Sequence, residues 1–458
     1  MSRPDLAAAL KGLAERFGDR LATGEPVREA HCQAPAWLPR HPPDAVVFAH
    51  SRDDVIAAVR LCAEHSVPVV PYGTGTSLEG HVNAPHGGIC LDVSGMDRVL
   101  AVDADDGTAT VQPGVTREAL NRRVRDLGLF FSVDPGADAS LGGMASTRAS
   151  GTNTVRYGTM RENTLALEVV LADGRVVRTG GRARKSASGY DLTRLFVGAE
   201  GTLGVITELT VRLWPTPECT GSGVCSFPTL DAAVRTVVDA GHLGLALARI
   251  ELLDPTTVRA CNAYSALDLP ETVHLFIELH GDEAVVKDHA ARFGELALDH
   301  GGLQFAWSTV AAERARLWQA RHDAWWAVHA LFPGRSGIPT DVCVPVSGLA
   351  EIVAATEEDV AASGLDAALV GHVGDGNFHL LIMIDPDDPA AVRRAAQLTE
   401  RLNLRAIAMG GTCTGEHGIG QGKAAVLPAE HGEAVHTMRA IKQALDPAGI
   451  MNPGKIIP

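Results

Sequence analysis

The sequence predicts an α+β protein of two or three domains. The chain has 458 residues, which is more than one hydrophobic core usually holds. Its first part alternates short apolar strands with helical stretches, and from about residue 218 the pattern indicates a second α+β domain built on an antiparallel sheet. Hydrophobic residues make up 46% of the chain, aromatic residues 5%, and 48 residues are glycine. This composition is typical of a loop-rich soluble protein of mixed α and β structure.

The first part is predicted to pass from alternating strands and helices into a β-hairpin. The strands are Ala45–Phe48, Val67–Pro71, Ile89–Val93 and Thr108–Val111, and the helices are Arg52–Glu64 and Thr116–Leu127. Asp173-Gly174 then turns Ala166–Leu171 into Arg175–Thr179. Gly204–Leu213 is predicted to be the last strand of this part, and the prolines of 214–217 end it.

The second part is predicted to alternate strands with longer helices. The strands are Leu247–Leu252, His274–Leu279, Asp341–Pro345, Ala368–Val373 and Leu380–Ile384, and the helices are 284–300, 311–330 and 390–409. A further helix is predicted at 432–444, within the last fifty residues. The change of texture near residue 218 therefore indicates a domain boundary there.

Charge and cysteine usage exclude several classes of function. The formal net charge of −15 argues against nucleic acid and anionic membrane surfaces as partners. The eight cysteines include no CxxC pair, which argues against a zinc ribbon, a thioredoxin-type motif and an iron–sulfur cluster bound by a closely spaced run. Scattered single cysteines fit a reducing compartment.

The first twenty residues do not read as a targeting segment. Leu6, Leu10, Leu13 and Phe17 share one helical stripe, with acidic and basic residues between them. The stretch lacks the apolar core of a secretory signal, and its acidic residues disfavour a mitochondrial presequence. No apolar run approaches the length that a membrane span needs. We therefore predict a cytoplasmic protein without a transmembrane segment.

The segment GHVGDGNFHL at 371–380 predicts a metal site. Asp375-Gly376 is a signal for a two-residue hairpin turn. In that register His372 faces His379, with Cβ atoms about 5 Å apart. Two imidazoles so placed suit one metal ion, and either Glu416 or His417 of GEHGIG could supply the third ligand of an open, catalytic site. The alternative is a purely structural hairpin.

Two glycine-rich loops, PYGTGTSLEGH at 71–81 and 134–153, predict a site for a phosphate-bearing cofactor. A nicotinamide-binding motif fits poorly because Leu78 stands where its third glycine belongs, and a P-loop fits poorly because Ala424 follows Gly422-Lys423. Glycines and small hydroxyls can still present consecutive backbone N–H groups to a pyrophosphate. Mobile connectors are the alternative, but apolar strands flank both loops.

Together these motifs resemble the vanillyl-alcohol-oxidase/PCMH flavoproteins, and within them the FAD-dependent D-2-hydroxy-acid dehydrogenases. The resemblance covers residues 40 to 458, and the D-lactate branch is the most similar at 133–163 and TDVCVPVS. Its motifs are PYGTGTSLEG, VDPGADASLGGMASTRASGTNTVRYGTMREN, GAEGTLGVITELT, TDVCVPVS, GHVGDGNFH, GEHGIGQGK and IMNPGKI. The resemblance implies a PCMH-type FAD-binding domain of two α/β subdomains at 1–217. It also implies a substrate (cap) domain with the metal site and an antiparallel sheet at 218–410, and a segment at 411–458 that returns to the FAD domain.

The resemblance also implies which residues bind FAD. They are Pro71, Gly73, Thr74, Gly75, Thr76, Ser77, Pro135, Gly136, Ser140, Gly142, Gly143, Ser150, Gly151, Glu200, Gly204, Ile206 and Asn452. Ser77 and His81 stand where the D-lactate branch is expected to have glycines. Some members of the superfamily attach FAD to a histidine in the first loop, but the aligned residue here is Thr76 and His81 lies too far along. Noncovalent FAD is therefore expected.

For the motifs GHVGDGNFH and GEHGIGQGK, the resemblance implies that His372, His379 and Glu416 are the ligands of a divalent metal, Zn or Mn. It also implies that His417 is the catalytic base. Glu416 and His417 are adjacent, so the two side chains are not expected to reach the same ion. The substrate carboxylate needs a cationic clamp, for which Arg321 and Arg335 are candidates. The alternative for both is an exposed arginine without a functional role.

The predicted reaction is metal-assisted oxidation of a D-2-hydroxy acid, with D-lactate preferred, by hydride transfer to the flavin N5. Glycolate or D-2-hydroxyglutarate is the alternative substrate, and a noncatalytic flavin-binding subunit of a multi-subunit oxidase is the alternative of another class. Electrons are expected to pass to a separate acceptor, a cytochrome, a quinone or an electron-transfer flavoprotein. A homodimer is left open by the sequence.

Overall fold

The computed structural model describes residues 4–32, 38–183 and 185–457, which form two compact units. The first unit comprises the described residues of Met1–Ser150, Gly158–Thr216 and Glu416–Pro458. The second comprises Gly151–Tyr157 and Pro217–Gly415. The chain therefore enters the second unit twice, once through a seven-residue segment and once through a long one.

The described strands of the first unit build three sheets. They are β1 Leu21–Ala22, β2 Ala45–Phe48, β3 Val69–Tyr72, β4 Ile89–Asp92, β5 Val99–Asp103, β6 Thr108–Val111, β7 Leu129–Phe130, β8 Thr164–Val170, β9 Val176–Gly180, β10 Val205–Arg212 and β11 Trp214–Pro215. The first sheet has the order β1-β2-β4-β3, in which β2 and β3 run parallel to β4. The second has the antiparallel order β5-β6-β10-β8-β9, and β7 pairs with β11.

Several helices of the first unit begin at residues whose side chains cap the first turn. Ser51 accepts a hydrogen bond from the backbone N–H of Asp54, and Thr116 accepts one from Ala119. The described α-helices are Leu6–Phe17, Glu25–Ala30, Arg52–Glu64, Arg117–Val124, Leu141–Thr147, Met160–Asn163, Leu192–Phe196, Leu427–His431 and Ala434–Leu445. Leu13 and Phe17 of the predicted N-terminal stripe are buried. The tail reaches the first sheet, since Val69 donates a backbone hydrogen bond to Ile450 at 2.8 Å.

The second unit is built on one antiparallel sheet. Its strands are β12 Cys219–Phe227, β13 Leu247–Leu253, β14 Val273–Gly281, β15 Leu303–Ser308, β16 Ser336–Pro339, β17 Val342–Cys343, β18 Asp366–His372 and β19 Asn377–Ile384. The order is β15-β12-β14-β13-β18-β19-β16, and β17 pairs with β19 beyond the end of β16. The predicted strand at Asp341–Pro345 is thus shorter, and β16 precedes it.

The helices of the second unit are Thr154–Tyr157, Leu230–His242, Pro255–Ser265, Glu283–Asp299, Ala311–His322, Ala324–Leu331, Leu349–Ser363 and Pro389–Ala408. The single helix predicted at 311–330 is interrupted at Asp323, which caps the first of two helices. None of the described helices combines the length and the apolar character that crossing a membrane requires.

Strand β12 was not predicted, because its glycines hide the strand pattern. Gly221 packs so closely that an added Cβ would lie 2.7 Å from a Val286 methyl group, and one at Gly223 would lie 2.7 Å from the Phe305 ring. Glycine within a strand commonly marks such close approaches. The glycines that make this segment look like a loop in the sequence therefore also allow Val286 and Phe305 to pack closely against the strand.

Candidate active site

Two loops of the first unit meet where the sequence predicts a phosphate-bearing cofactor. Gly73 follows β3 and lies against Ser140, because an added Cβ would overlap the Ser140 hydroxyl. The backbone N–H of Ser140 donates to Thr74 Oγ1 at 3.2 Å. The first glycine loop and the start of helix Leu141–Thr147 are therefore in direct contact.

The serine hydroxyls in these loops are placed for an external partner. Ser140 is the N-cap of its helix but makes no capping hydrogen bond with its side chain. The hydroxyls of Ser140 and Ser77 are both buried, and neither has a hydrogen-bond partner among the described residues. Buried polar groups are normally satisfied, so two such hydroxyls beside glycine backbone fit a phosphate-bearing ligand such as the FAD pyrophosphate.

The other predicted cofactor residues are distributed around the same loops. Pro71 lies on β3, Gly142 and Gly143 lie in the first turn of helix Leu141–Thr147, and Ile206 lies on β10. An added Cβ at Gly142 would overlap Pro113, so only glycine fits there. Gly151 departs from the prediction of a single domain at 1–217, because it belongs to the second unit.

Glu200 and Asn452 fix the C-terminal segment on these loops. The Glu200 carboxylate accepts hydrogen bonds from the backbone N–H groups of Ile419 at 2.7 Å and Gly420 at 2.8 Å. The Asn452 amide donates to the backbone oxygens of Glu200 at 2.7 Å and His81 at 3.2 Å. Both side chains thus have structural partners within the first unit, and any contact with FAD would come in addition.

A buried lysine lies beside this contact. The Lys455 ammonium donates to the backbone oxygen of Asn83 at 2.7 Å and is 3.3 Å from Asn452 Oδ1. Burial lowers the pKa of Lys455 to about 8, and the charge of Glu200 offsets only part of that effect. His81 Nε2 lies 3.2 Å from Glu200 Oε2. The histidine of the first loop therefore lies at ion-pair distance from a carboxylate of its own unit, without the geometry of a hydrogen bond.

Glu416 and His417 begin the segment that belongs to the first unit. The hydroxyl of Ser150 donates to Glu416 Oε2 at 2.7 Å, which orients the carboxylate. His417 Nε2 lies 3.8 Å from Glu416 Oε1. Both side chains are largely buried, with exposed fractions of 15% for Glu416 and 12% for His417. Ser150, predicted as a cofactor residue, is thus a direct neighbour of the predicted metal ligand.

The hairpin at 371–380 forms, but its register differs from the predicted one. His372 pairs with Asn377 and Val370 pairs with His379, so residues 373–376 make a four-residue turn instead of a two-residue turn. The longer turn accompanies the pairing of β17 with β19. Val344 donates a backbone hydrogen bond to Gly376 at 3.0 Å, and an added Cβ at Gly376 would overlap the Val344 oxygen.

The two histidines nevertheless share one face of the sheet. His372 lies two residues from Val370, the direct partner of His379, and side chains two residues apart point to the same face. The ring centroids are 5.3 Å apart with an angle of 81° between the ring planes. His379 Nδ1 lies 2.9 Å from the Thr340 backbone oxygen, which can only accept a hydrogen bond. In the neutral ring, Nδ1 of His379 therefore carries the proton.

Glu251 plays the corresponding part for His372. Its Oε1 lies 2.8 Å from His372 Nδ1, and its Oε2 accepts hydrogen bonds from Nε and Nη2 of Arg321 at 3.0 and 2.6 Å. Burial acts to raise the pKa of the Glu251 carboxyl, but His372 and Arg321 more than offset it, so the pKa lies below its ordinary value. Arg321, predicted as a substrate clamp, thus has a carboxylate partner within the protein.

Arg335, the second predicted clamp, lies on the surface. Its guanidinium is 41% exposed and is 3.7 Å from the exposed Asp366 carboxylate. This contact is that of an ordinary surface ion pair, which contributes little to stability. Of the two arginines, Arg321 is connected to the histidine pair and Arg335 has the contacts of the nonfunctional alternative.

A second buried polar cluster lies on the neighbouring strand β14. Glu278 accepts hydrogen bonds from His280 Nε2 at 2.9 Å and from the Ser222 hydroxyl at 2.9 Å. Burial acts to raise its pKa, but His280 and Arg249 together lower the pKa of Glu278 to about 2. His280 Nδ1 is 2.7 Å from the Tyr157 hydroxyl, so this cluster attaches the short segment 151–157 to the sheet.

Sequence reasoning missed Glu251, Asp341 and Thr340. Asp341 is fully buried and accepts hydrogen bonds from the Asn377 amide and the Thr414 hydroxyl. The available signal was a lone acidic residue inside a mainly apolar stretch, LARIELL for Glu251 and IPTDVCV for Asp341. A charged residue is almost never fully buried without a partner, so such a position predicts one.

Comparison with known families places both parts of the chain. Residues 43–180 match the model of an FAD binding domain, and residues 216–456 match that of the C-terminal domain of FAD linked oxidases. The structure of 4-ethylphenol oxidase from Gulosibacter chungangensis, in complex with isoeugenol, has a TM-score of 0.82 at 20% identity and covers 100% of this chain and 99% of its own. The predicted α+β fold with a PCMH-type FAD-binding domain is confirmed.

Relatives of known name are similar over nearly the whole chain. A protein of Danio rerio named probable D-lactate dehydrogenase, mitochondrial, is 49% identical over 95% of this chain and 89% of its own length. The D-lactate dehydrogenase [cytochrome], mitochondrial, of Arabidopsis thaliana is 46% identical over 91% of this chain and 74% of its own. The glycolate oxidase subunit GlcD of Bacillus subtilis is 36% identical over 90% of this chain and 89% of its own.

The predicted cytoplasmic location is wrong. Both D-lactate dehydrogenase relatives are named mitochondrial, which contradicts the prediction. The prediction rested on cysteine spacing and on the charges of the first twenty residues. An organelle address is read by a receptor, so the composition of a folded chain does not report it.

Proposed function

Since this chain belongs to the FAD-dependent D-2-hydroxy-acid dehydrogenases of the vanillyl-alcohol-oxidase/PCMH superfamily, we propose that it oxidises D-lactate to the 2-oxo acid. The observation that carries the proposal is the histidine pair of β18 and β19, with both Nδ1 atoms held by acceptors, in a chain 49% identical to a probable D-lactate dehydrogenase. Glycolate is the second candidate, favoured by the 36% identity to a glycolate oxidase subunit.

The proposed FAD-binding residues are those of the two glycine loops, of 200–206 and of the tail. Support comes from the buried hydroxyls of Ser77 and Ser140 and from the close approach at Gly73. We propose that FAD is held without a covalent bond, because Thr76 offers no imidazole and His81 lies at ion-pair distance from Glu200. When bound, FAD supplies the acceptor for the hydride that leaves the substrate Cα.

Acid precipitation of the purified, yellow protein is expected to leave intact FAD in the supernatant. Residues 71–81 contain one histidine, His81, and its ring lies against Glu200. The flavin absorbance of supernatant and pellet measures the outcome. Flavin that remains with the pellet would show a covalent bond, and colourless protein that FAD does not reconstitute would contradict the cofactor assignment.

We propose that His372, His379 and Glu416 bind a divalent ion, Zn or Mn. The support is chemical. Each imidazole has an acceptor at Nδ1, Glu251 for His372 and the Thr340 oxygen for His379, and metal-binding histidines commonly donate one ring N–H to a carboxylate or a backbone oxygen. A 2-hydroxy acid carries two oxygens that suit such an open site, and a divalent ion bound there supplies Lewis acidity to the hydroxyl group.

His417 is proposed as the base that takes the substrate hydroxyl proton. An imidazole titrates in the neutral range, which suits a base at physiological pH. The Ser150 hydroxyl donates a hydrogen bond to Glu416, the residue next to His417. Glu416 is thereby oriented as the proposed metal ligand, and His417 is the proposed base. Arg321 is the proposed clamp for the substrate carboxylate in preference to Arg335, because Arg335 is an exposed partner of Asp366. Only Nε and Nη2 of Arg321 are bound to Glu251, which leaves Nη1 for a substrate.

Electrons are proposed to leave the flavin for a separate acceptor, a cytochrome, a quinone or an electron-transfer flavoprotein. The chain has no CxxC pair of the kind that holds a closely spaced cluster. The Arabidopsis thaliana relative carries the word cytochrome in its name, which supports the first of the three.

D-Lactate is expected to bleach the flavin under anaerobic conditions much faster than L-lactate. A metal and a base held at fixed positions would present one face of Cα to the flavin, so the opposite enantiomer would place its hydrogen on the other side. Stopped-flow absorbance at the flavin band, with a panel of D- and L-lactate, glycolate and D-2-hydroxyglutarate, measures the rates. Faster reduction by L-lactate would refute the substrate, faster reduction by glycolate would favour the second candidate, and no reduction by any acid would favour a noncatalytic subunit.

A further inference from the structure

Glu251 is a charged residue in the interior of an apolar strand. It lies on β13 between Ile250 and Leu252, and its exposed fraction is 0%. Its two oxygens are divided between two partners. Oε1 faces His372 Nδ1 at 2.8 Å, and Oε2 accepts from Nε and Nη2 of Arg321 at 3.0 and 2.6 Å. The three residues come from a strand, a helix and a second strand of one unit.

Burying a carboxylate and a guanidinium together is costly unless the geometry is good and the remaining hydrogen-bonding positions are used. The neighbours of Glu251 on β13, Ile250, Leu252 and Leu253, are buried apolar residues. The carboxylate determines which ring nitrogen of His372 carries the proton. A carboxylate accepts and does not donate, so the proton of the imidazole is held on Nδ1 and its lone pair on Nε2.

We propose that Glu251, held in place by Arg321, is the positioning residue for the metal ligand His372. The carboxylate fixes the ring in the orientation and tautomer that present Nε2, and it raises the basicity of that nitrogen for a divalent ion. Nδ1 of His379 faces the neutral Thr340 oxygen at 2.9 Å and lies 3.8 Å from the Asp341 carboxylate, whereas the Glu251 carboxylate faces Nδ1 of His372 directly at 2.8 Å. The inference rests on the proposed metal binding by His372.

The test measures metal affinity in the full-length, FAD-loaded protein after a chelator has removed its metal. Zn²⁺ is titrated in competition with a chromophoric chelator, and FAD content and thermal unfolding are measured on the same samples. Glu251→Gln is expected to weaken Zn²⁺ binding about 10–100-fold, the range seen when such an outer partner is removed. One Zn²⁺ per chain should still bind at saturation, because His372 itself remains.

Glu278→Gln is the matched control. Glu278 is also a buried strand glutamate of the same unit, and it has a histidine partner, His280, and an arginine neighbour, Arg249, at 3.6 Å. Its carboxylate contacts Ser222, His280 and Arg249 instead of His372, so this variant should bind Zn²⁺ as the wild type does. Equal weakening in both variants would show a general loss of packing and would overturn the proposal.

Glu251→Gln leaves Arg321 buried beside a neutral group, which can unfold the unit. The double variant Glu251→Met/Arg321→Met removes both charges together and avoids this. It should fold and still bind Zn²⁺ more weakly than the wild type. Wild-type affinity in a folded double variant would refute the positioning role.

A second readout does not need the metal. In metal-free protein with ¹⁵N-labelled histidine, the side chain of His372, assigned by its absence in His372→Gln, is expected as the Nδ1–H tautomer. In the double variant it should become a mixture of tautomers. The same tautomer in both proteins would overturn the proposal even if the wild type bound no Zn²⁺, whereas absence of Zn²⁺ binding by the wild type would by itself contradict only the proposed metal site.

Discussion

Replacing His417 by alanine is expected to slow flavin reduction by D-lactate about 10²–10⁴-fold, the range for loss of a general base. The variant should keep its metal, because Glu416 is the proposed ligand and remains fixed by Ser150. It should also keep FAD, whose binding loops lie elsewhere in the first unit. In the wild type, protonation of this imidazole is expected to slow flavin reduction at acid pH. That decrease in rate should be absent from His417→Ala. Stopped-flow reduction over a range of pH, with metal analysis of each sample, measures these effects.

Glu416→Gln provides the contrast. It should lose affinity for the metal and should regain part of its activity when excess metal is added, which His417→Ala should not. Ser150→Ala removes the hydroxyl that holds Glu416 and leaves the side chains of Glu416 and His417 unchanged. It should therefore lose metal affinity too, but to a smaller extent than Glu416→Gln. If His417→Ala loses the metal and Glu416→Gln retains it, the two roles are exchanged and the proposed mechanism is wrong at its centre.

Replacing His372 or His379 by alanine is expected to remove the bound metal while FAD content stays near that of the wild type. Both histidines belong to the second unit, and the FAD binding domain matches residues 43–180. His274→Ala is the control, since His274 is a buried histidine of the same sheet whose Nδ1 faces the Thr272 oxygen at 2.9 Å. Metal analysis by plasma mass spectrometry and the flavin absorbance of each variant give the result. A full complement of metal in both histidine variants would remove the basis for the site.

Much of the fold followed from local patterns. The strand Ala45–Phe48 and the helix Arg52–Glu64 have the predicted bounds, because apolar periodicity and a serine N-cap are properties of the segment itself. Strand β12 did not follow, because Gly221 and Gly223 are explained only by neighbours far along the chain, Val286 and Phe305. The hairpin register failed for the same reason, since β17 and the Val344 oxygen decide the turn.

The parts of the candidate site that lie within a single sequence motif could be predicted. His372 and His379 are the second and ninth residues of GHVGDGNFH, and they still share one face of the sheet after the change of register. The partners of these histidines were not predictable from the motif. Glu251 is 121 residues from His372, and Thr340 is 39 residues from His379. Arg321 was predicted for its guanidinium, and only the fold shows that a protein carboxylate already occupies part of it.

The central claim is that this family member needs its histidine-bound metal to oxidise a D-2-hydroxy acid. It is tested most directly by anaerobic flavin reduction with D-lactate in wild-type protein whose metal has been removed by a chelator and whose FAD content has been verified. The flavin should remain oxidised in the metal-free protein and in His372→Ala, and Zn²⁺ or Mn²⁺ should restore bleaching to the wild type alone. Bleaching at the full rate in protein shown to be free of metal would contradict the account.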